Sequence, residues 1–184
     1  MGVLTVDDDL PHDPRRILVA GVSGVGKTTF AARVAATLGV PHTEMDGLFH
    51  GPGWTERPEF LDEVDALILR DRWITEWQYR SARQRLLDRA DTMIWLDLPF
   101  RVTFGRVLCR TLKRRRDREV LWNGNVEPPL HTFFTSREHI LRWAVSTRHT
   151  YRELVPPLAT SHPDLTVVRL RSAAEVERWI GRLG

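Results

Sequence analysis

Apolar residues along the chain fall into short continuous runs and into longer stripes spaced by three and four, and the two kinds alternate. Arg16-Ile-Leu-Val-Ala20 is a compact apolar run ending in glycine, the pattern of a strand buried on both faces. Thr28 to Leu38 places Phe30, Val34 and Leu38 four apart, and Gly39 followed by Pro41 ends that helix. A short strand around Thr43 to Met45 leads to Asp46, and His50-Gly-Pro-Gly-Trp54 reads as loop. Phe60, Leu61, Val64, Leu67 and Ile68 form a helical stripe, and Trp73 to Glu76 a third strand. Ser81-x-x-Gln84 has the spacing of a capping box opening a helix to about Arg89.

Thr92-Met-Ile-Trp-Leu-Asp97 is the fourth strand, stopped by Pro99. Phe100, Phe104, Val107, Leu108 and Thr111 share one helical face that runs into Lys113-Arg-Arg-Arg-Asp-Arg118. Asn123 to Pro129 is a loop, and Thr135-x-x-Glu138 opens a helix to about Leu154. Leu165 to Leu170 is a fifth strand, and Ser172 to Leu183 a closing helix. Strand and helix in alternation imply right-handed crossovers and a parallel sheet covered on both faces, a three-layer α/β domain. In such sheets ligands gather at the carboxyl ends of the strands. Residues 1–14, acidic and holding Pro11 and Pro14, read as a flexible lead-in to one domain over 15–184.

One motif carries specific chemistry. Gly21-Val-Ser-Gly-Val-Gly-Lys27-Thr28 fits G-x-x-x-x-G-K-[ST] at every fixed position, with a buried strand before it and a helix after it. Its glycines let the backbone turn N–H groups toward phosphate oxygens. The motif assigns nucleotide binding to Gly21, Ser23, Gly24, Val25, Gly26, Lys27, Thr28 and Thr29. Lys27 neutralises the β and γ phosphates, and Thr28 offers its hydroxyl to Mg²⁺. The expected ligands are ATP and Mg²⁺.

The finer spacing G-x-x-G-x-G-K-T resembles the P-loop of adenylate kinases, shikimate kinases and related small phosphotransferases. Glu76-Trp-Gln-Tyr-Arg80 stands where adenylate kinases have Asp-Gly-Phe-Pro-Arg at the end of the third strand. Asp97-Leu-Pro99, followed by Arg106 and Arg110, is similar to the strand-to-helix step of nucleoside monophosphate kinases. Met45-Asp-Gly-Leu-Phe, Gly-Pro-Gly-Trp54 and Leu-Trp-Asn-Gly-Asn125 look closest to the adenylate-kinase-like topology modulation (FlaR-like) proteins. The resemblance covers nearly the whole chain after Arg15, with the P-loop its most specific part. It implies a P-loop NTPase fold of strand order 2-3-1-4-5, an Arg-rich lid over about 111–135, and Arg110 against the nucleotide base. It also puts Arg80 on an acceptor anion. Glu76 replaces the usual aspartate and is one methylene longer, still able to hold Mg²⁺-bound water. Trp77 replaces a glycine that leaves room near an acceptor phosphate, which sets this chain apart from an ordinary AMP-binding kinase.

The remaining candidates each have a plain structural alternative. Asp46 follows the second strand and either binds or deprotonates an acceptor hydroxyl, helps place Mg²⁺, or serves as a helix cap or turn residue, since Asp-Gly is a common turn. Glu76 is favoured for the magnesium shell, and Asp97 for a structural role. The run from Arg110 to Arg118 holds six cations and one acid. It reads as a lid that excludes water, with Arg114 and Arg118 stabilising charge during transfer, or as a nucleic-acid patch, or as a solvated face. Arg148 lies on the apolar stripe of its helix, four after Ala144 and three before Tyr151, with Arg137 three turns back. Such an arginine snorkels or faces a charged cavity, here an acceptor site. The histidines show no paired ligand spacing, so no zinc site is expected. Most tryptophans fall on apolar positions, while Trp54 and Trp122 sit in loops and are free to flank an acceptor.

Composition narrows the classes. The chain has 184 residues, 42% hydrophobic and 28% charged, enough for one core and too apolar for disorder. Its net charge of +3 excludes a whole-surface nucleic-acid glove. Among 27 basic residues only Lys27 and Lys113 are lysines. Arginine's planar fork grips phosphate and carboxylate, though a GC-rich genome produces the same excess. Cys109 is the single cysteine, which excludes internal disulfides and fits a reducing cytoplasm. No run of 18 apolar residues suggests a membrane span, and Asp7, Asp8 and Asp9 stand where a signal peptide needs positive charge.

The leading expectation is a cytoplasmic ATP-dependent phosphotransferase, monomer or homodimer, acting on a small acceptor such as a nucleotide or nucleoside. The alternative is a nucleotide-dependent switch or nucleic-acid-associated ATPase. Asp46, Arg80 and the Gly51–Trp54 loop discriminate: enclosed beside the P-loop they favour transfer, exposed among a basic stripe they favour the switch.

Overall fold

In the computed structural model, which describes residues 2–117, 120–125 and 140–183, five parallel strands form one sheet in the order β2-β3-β1-β4-β5. They are β1 (Arg16–Ala20), β2 (His42–Thr43), β3 (Trp73–Glu76), β4 (Thr92–Leu96) and β5 (Thr166–Leu170). The helices are α1 (Lys27–Leu38), α2 (Met45–Phe49), α3 (Phe60–Ile68), α4 (Arg80–Leu87), α5 (Phe100–Asp117), α6 (Ile140–Ser146), α7 (Thr150–Leu154), α8 (Leu158–Ser161) and α9 (Ala173–Gly181).

Successive strand residues point to opposite faces, and both faces are dry. Leu18, Trp73, Met93 and Val167 join a core with Phe60, Val64 and Leu86 of α3 and α4 and Val155 beyond α7. Ile17, Val19, Ile74, Ile94 and Val168 join a second core with Phe30 and Val34 of α1 and Trp179 of α9. Pairing of Val19 with Glu76 and of Ala20 with Trp95 sets the ends of β3 and β4 beside the chain's exit from β1. The carboxyl ends of the three central strands therefore meet at the P-loop.

Several local expectations are corrected. The lead-in read as flexible is tied down, since Leu4 bridges β5 through bonds to Val167 O (2.8 Å) and from Arg169 N (2.9 Å). Val6 is buried, and Asp7 and Asp9 pair with Arg178 and Arg182 of the closing segment. The second strand ends at Thr43, and Met45, expected in that strand, instead opens a helical turn that runs to Phe49. α4 starts at Arg80, so Ser81 lies inside the helix and does not cap it. The helix expected to reach Leu154 breaks between Ser146 and Thr150, where Arg148 N bonds Val145 O (3.5 Å) and Thr150 N bonds Thr147 O (3.1 Å). Its proposed start at Thr135, the residues Arg137 and Arg118, and the part of the expected lid from 126 to 135 lie outside the described residues. Residues 111–117 are a direct continuation of α5.

Candidate active site

The P-loop fills the turn between β1 and α1. Gly21, Gly24 and Gly26 all have positive φ (152°, 76° and 100°). At Gly21 a β-carbon would stand 2.8 Å from Leu96 O, and at Gly24 it would strike the Val107 side chain and Thr103 O of α5. Glycine is thus required by close packing as well as by backbone angle. The turn closes through Val25 N to Val22 O (3.2 Å). No side chain caps the N-terminus of α1, so the first N–H groups of the helix stay available to an anion. Ser23 and Thr28 are half-buried, and Thr29 is exposed on the first turn.

Lys27 folds over this loop, its Nζ donating to Gly21 O (2.9 Å). Burial pushes its pKa down, the carboxylates of Asp46 and Glu76 pull it up, and Arg110 and Arg83 push it down again. The balance stays below the ordinary lysine value. Two carboxylates and two other cations thus bear on its charge.

Glu76, at the end of β3, is 2% exposed. Its Oε1 meets His42 Nε2 (3.3 Å), its Oε2 accepts from Met45 N (2.9 Å), and the Thr28 hydroxyl also bonds it. Burial raises its pKa, but His42, the Met45 N–H and Thr28 together outweigh that and leave it below the usual carboxylate range. Thr28 and Glu76 form a pair of hard oxygen donors. Such a pair suits Mg²⁺, which takes one or two protein oxygens and completes its shell with water and substrate phosphates.

Asp46 lies in α2 and is half-buried. Gln78 Nε2 (2.5 Å) and Tyr79 Oη (2.6 Å) both donate to its Oδ1. Oδ2 has no hydrogen-bond partner among the described residues. Because the Tyr79 proton points to Asp46, the 2.9 Å contact between Tyr79 Oη and His50 Nε2 requires His50 to donate from Nε2. His50 is then neutral with Nδ1 as acceptor, and burial, opposed by Asp46, holds its pKa below 6.5. Tyr79 is pushed well above its ordinary value, first by burial and then by Asp46. Its φ of 56° is a strained angle for a non-glycine residue, held by stacking on Phe49 at 3.8 Å.

Two loops close this side. Asn125, buried, accepts from Trp54 N (3.0 Å) and donates to Gly51 O (2.9 Å), stapling the Gly51–Trp54 loop to Leu121–Asn125. Trp122 donates to Glu44 (3.1 Å) and lies under the Arg114 guanidinium at 5.9 Å. Half-buried Trp54 packs edge-on to His50.

The other expected residues are placed less as foreseen. Arg80 is exposed at the first turn of α4, whereas Arg83, three residues on, turns inward. The signal for Arg83 was present in the sequence, because it shares a stripe with buried Leu86 and Leu87. Trp77 is buried against Tyr151 in the core. Arg106 reaches Val25 O (3.1 Å) and lines a cleft of about 290 Å³ with Gly26, Thr29, Leu98 and Ala173. Arg110 is exposed on the same helix, and its charge helps hold the Lys27 pKa down. Arg148 is exposed and lines a smaller cleft of about 80 Å³ with Val22, Asp97 and Arg152, apart from Asp46. Asp97 is clamped by Arg152 (2.8 Å) and Arg169, as a structural anchor would be. Of the three discriminating features, Asp46 is half-buried, the Gly51–Trp54 loop is mixed, with Gly51 buried and Pro52 and Gly53 exposed, and Arg80 is exposed. No helix among the described residues is long and apolar enough to cross a membrane.

No protein-family sequence pattern matches the chain. A 56-residue stretch is 41% identical to a cytidylate kinase of Nitratidesulfovibrio vulgaris, covering 30% of this chain and 24% of that protein. The chain thus spans about a quarter of the length of the curated relatives it matches. Among solved structures it resembles a gluconokinase from Sinorhizobium meliloti 1021, with a TM-score of 0.53, 21% identity, and 92% and 91% of the two chains covered. A sugar kinase from a Janibacter species gives 0.51 at 23% identity, covering 92% of each chain. A shikimate kinase from Bacteroides thetaiotaomicron gives 0.51 at 16% identity, covering 93% of this chain and 96% of its own. The fold is that of the P-loop kinases.

Proposed function

We propose that the protein transfers the γ-phosphoryl group of ATP to a hydroxyl of a small acceptor. The observation that carries this reading is the convergence of Lys27, in a complete P-loop, with two carboxylates held in different ways at the same sheet edge. Glu76 is held by His42, the Met45 N–H and the Thr28 hydroxyl, a supporting position for the magnesium shell. Asp46 has one oxygen fixed and the other open, the arrangement of a group that receives a proton.

In the proposed reaction the acceptor oxygen forms a bond to the γ-phosphorus while the bond to the β,γ-bridging oxygen breaks, and ADP leaves. The hydroxyl proton passes to Asp46 Oδ2. Thr28 and Glu76 would hold Mg²⁺, which would supply charge neutralisation for the triphosphate. Lys27 and the α1 N-terminus grip those phosphates, and Arg110 adds positive charge beside them. Arg106 faces the nucleotide base in its cleft. We assign charge stabilisation and exclusion of water to Arg114, which lies over Trp122, and the same role to Arg118.

The topology modulation (FlaR-like) resemblance gains support from the way its three segments meet. Asn125 and Trp122 of one bond Gly51, Trp54 and Glu44 in and beside the other two. The exposed thiol of Cys109 suits a reducing compartment such as the cytoplasm.

The test is ADP release from ATP and Mg²⁺ across nucleoside monophosphates, nucleosides and sugar or hydroxy acids. Acceptor-stimulated release that is lost in Lys27→Ala and Asp46→Asn is the expected result. Acceptor-independent turnover that survives Asp46→Asn would overturn the reading in favour of a switch or nucleic-acid-associated ATPase.

A further inference from the structure

Asp46 is held on one side by side chains from the opposite end of β3. Gln78 Nε2 (2.5 Å) and the Tyr79 hydroxyl (2.6 Å) both donate to Oδ1, and His50 Nε2 meets the Tyr79 oxygen at 2.9 Å. A carboxylate oxygen carries two lone pairs, so two donors saturate Oδ1.

The backbone imposes this aim. Gln78 and Tyr79 link β3 to α4, and Tyr79 takes its φ of 56° directly before the first residue of that helix. A non-glycine residue keeps such an angle only where its surroundings fix it. Here the Tyr79 ring stacks on Phe49 at 3.8 Å and meets Phe60 edge-on at 5.6 Å. Those contacts hold the ring but not the hydroxyl proton, which rotates about the C–O bond. His50 settles its direction. The imidazole packs edge-on against Phe49 and Trp54, and its Nδ1 is buried with no hydrogen-bond partner. A proton on Nδ1 would be a stranded donor, so the single ring proton sits on Nε2 and points at the Tyr79 oxygen. The Tyr79 proton is thereby turned toward Asp46.

We propose that His50 and Tyr79 are positioning residues acting in series: His50 directs the Tyr79 hydroxyl, and that hydroxyl with Gln78 pins Oδ1 so that Oδ2 takes the acceptor proton. This rests on the phosphotransfer reading and deepens it by assigning the groups that orient its base. When the proton reaches Oδ2, Oδ1 becomes a carbonyl oxygen and keeps both donors, so nothing in the chain has to move during transfer.

The test measures kcat and the KM for Mg·ATP with the acceptor of the panel that gives the fastest ADP release. Tyr79→Phe keeps the stacked ring and loses only the hydroxyl. Its kcat is expected to fall about tenfold or more while the KM for Mg·ATP stays within about twofold. Glutamine sets its amide where His50 Nε2 stands, asparagine where Nδ1 stands, and both lose the ring. His50→Gln is therefore expected to recover most of the kcat that His50→Asn loses. Because the two residues act in series, His50→Asn adds no further loss to Tyr79→Phe. Wild-type kcat in Tyr79→Phe, equal kcat in the two His50 variants, or losses that multiply in the double variant overturn the proposal.

NMR of protein labelled at the tyrosine Cζ reads the same chain without an acceptor. The sequence has two tyrosines, so Tyr79→Phe assigns both lines, and Tyr151, bonded to Trp77 O, serves as the reference. Asp46→Asn and His50→Asn are each expected to move the Tyr79 line, and a Tyr79 line indifferent to both overturns the proposal. A line that moves as expected, with no acceptor-dependent ADP release, removes phosphotransfer alone. Acceptor-dependent release with wild-type kcat in Tyr79→Phe removes the positioning role alone.

Discussion

Gly24 joins the phosphate loop to the helix that carries Arg106, Arg110 and Arg114, and its replacement by alanine tests that joint. The φ of 76° costs an L-residue about 1–2 kcal/mol. The added methyl also drives into the Val107 side chain and Thr103 O, where Val107 is fully buried and Thr103 is 1% exposed. Overpacking of that kind costs about 1–3 kcal/mol. The sum is about 2–5 kcal/mol, which for a chain of this length lowers the melting temperature by about 4–20 °C. Affinity for Mg·ATP falls as well, because relief of the clash moves either the loop or α5 and separates Lys27 from Arg110. Thermal melting and fluorescent-nucleotide titration of Gly24→Ala, Val107→Ala and the double variant supply the measurement. The collision predicts a favourable coupling of about 1 kcal/mol or more between the two substitutions, since Val107→Ala opens room for the new methyl. Wild-type melting and affinity in Gly24→Ala, or strictly additive effects, would refute a loop packed directly on α5.

Other substitutions separate the roles of neighbouring groups. Arg106→Ala is expected to raise the Kd for ATP about tenfold, the loss of a stacking contact worth about 1–2 kcal/mol, while inorganic tripolyphosphate binds as before in competition assays. Glu76→Gln is expected to raise the Mg²⁺ concentration for half-maximal turnover while ATP binding without metal stays within about twofold. Because the folded pKa of Glu76 is depressed, its stabilising contribution is full above its ordinary value of 4.5 and is lost as pH falls through the lower folded value. The Gln variant lacks that limb in urea melts below pH 4.5. Asp97→Asn removes the charge between Arg152 and Arg169, whose side chains are 48% and 37% exposed, and is expected to cost about 1–2 kcal/mol of stability in urea titration without changing the Kd for ATP.

The parts legible in the sequence are those fixed by short-range pattern. β1 and β3 run between the residues their apolar runs mark, and the P-loop sits between its strand and helix as its spacing requires. α2 was hidden because five residues with Gly47 at their centre carry no helical period, and Asp46-Gly47 reads as a turn. The link from His50 through Tyr79 to Asp46 spans 33 residues and depends on a strained φ at Tyr79, which no local propensity encodes. Arg83, by contrast, shares its helical stripe with buried Leu86 and Leu87, a legible sign that it and not Arg80 turns inward. The anchoring of the lead-in likewise depends on the edge of β5, more than 150 residues away.

The account stands most directly on the fate of the γ-phosphate. With ATP labelled at that position, wild-type protein and Mg²⁺ are incubated with each acceptor of the panel, and the products are separated into labelled acceptor and labelled inorganic phosphate. Label on an acceptor in at least tenfold excess over inorganic phosphate, abolished in both Lys27→Ala and Asp46→Asn, is the predicted result. Label recovered only as inorganic phosphate, at a rate indifferent to every acceptor and to Asp46→Asn, would contradict it.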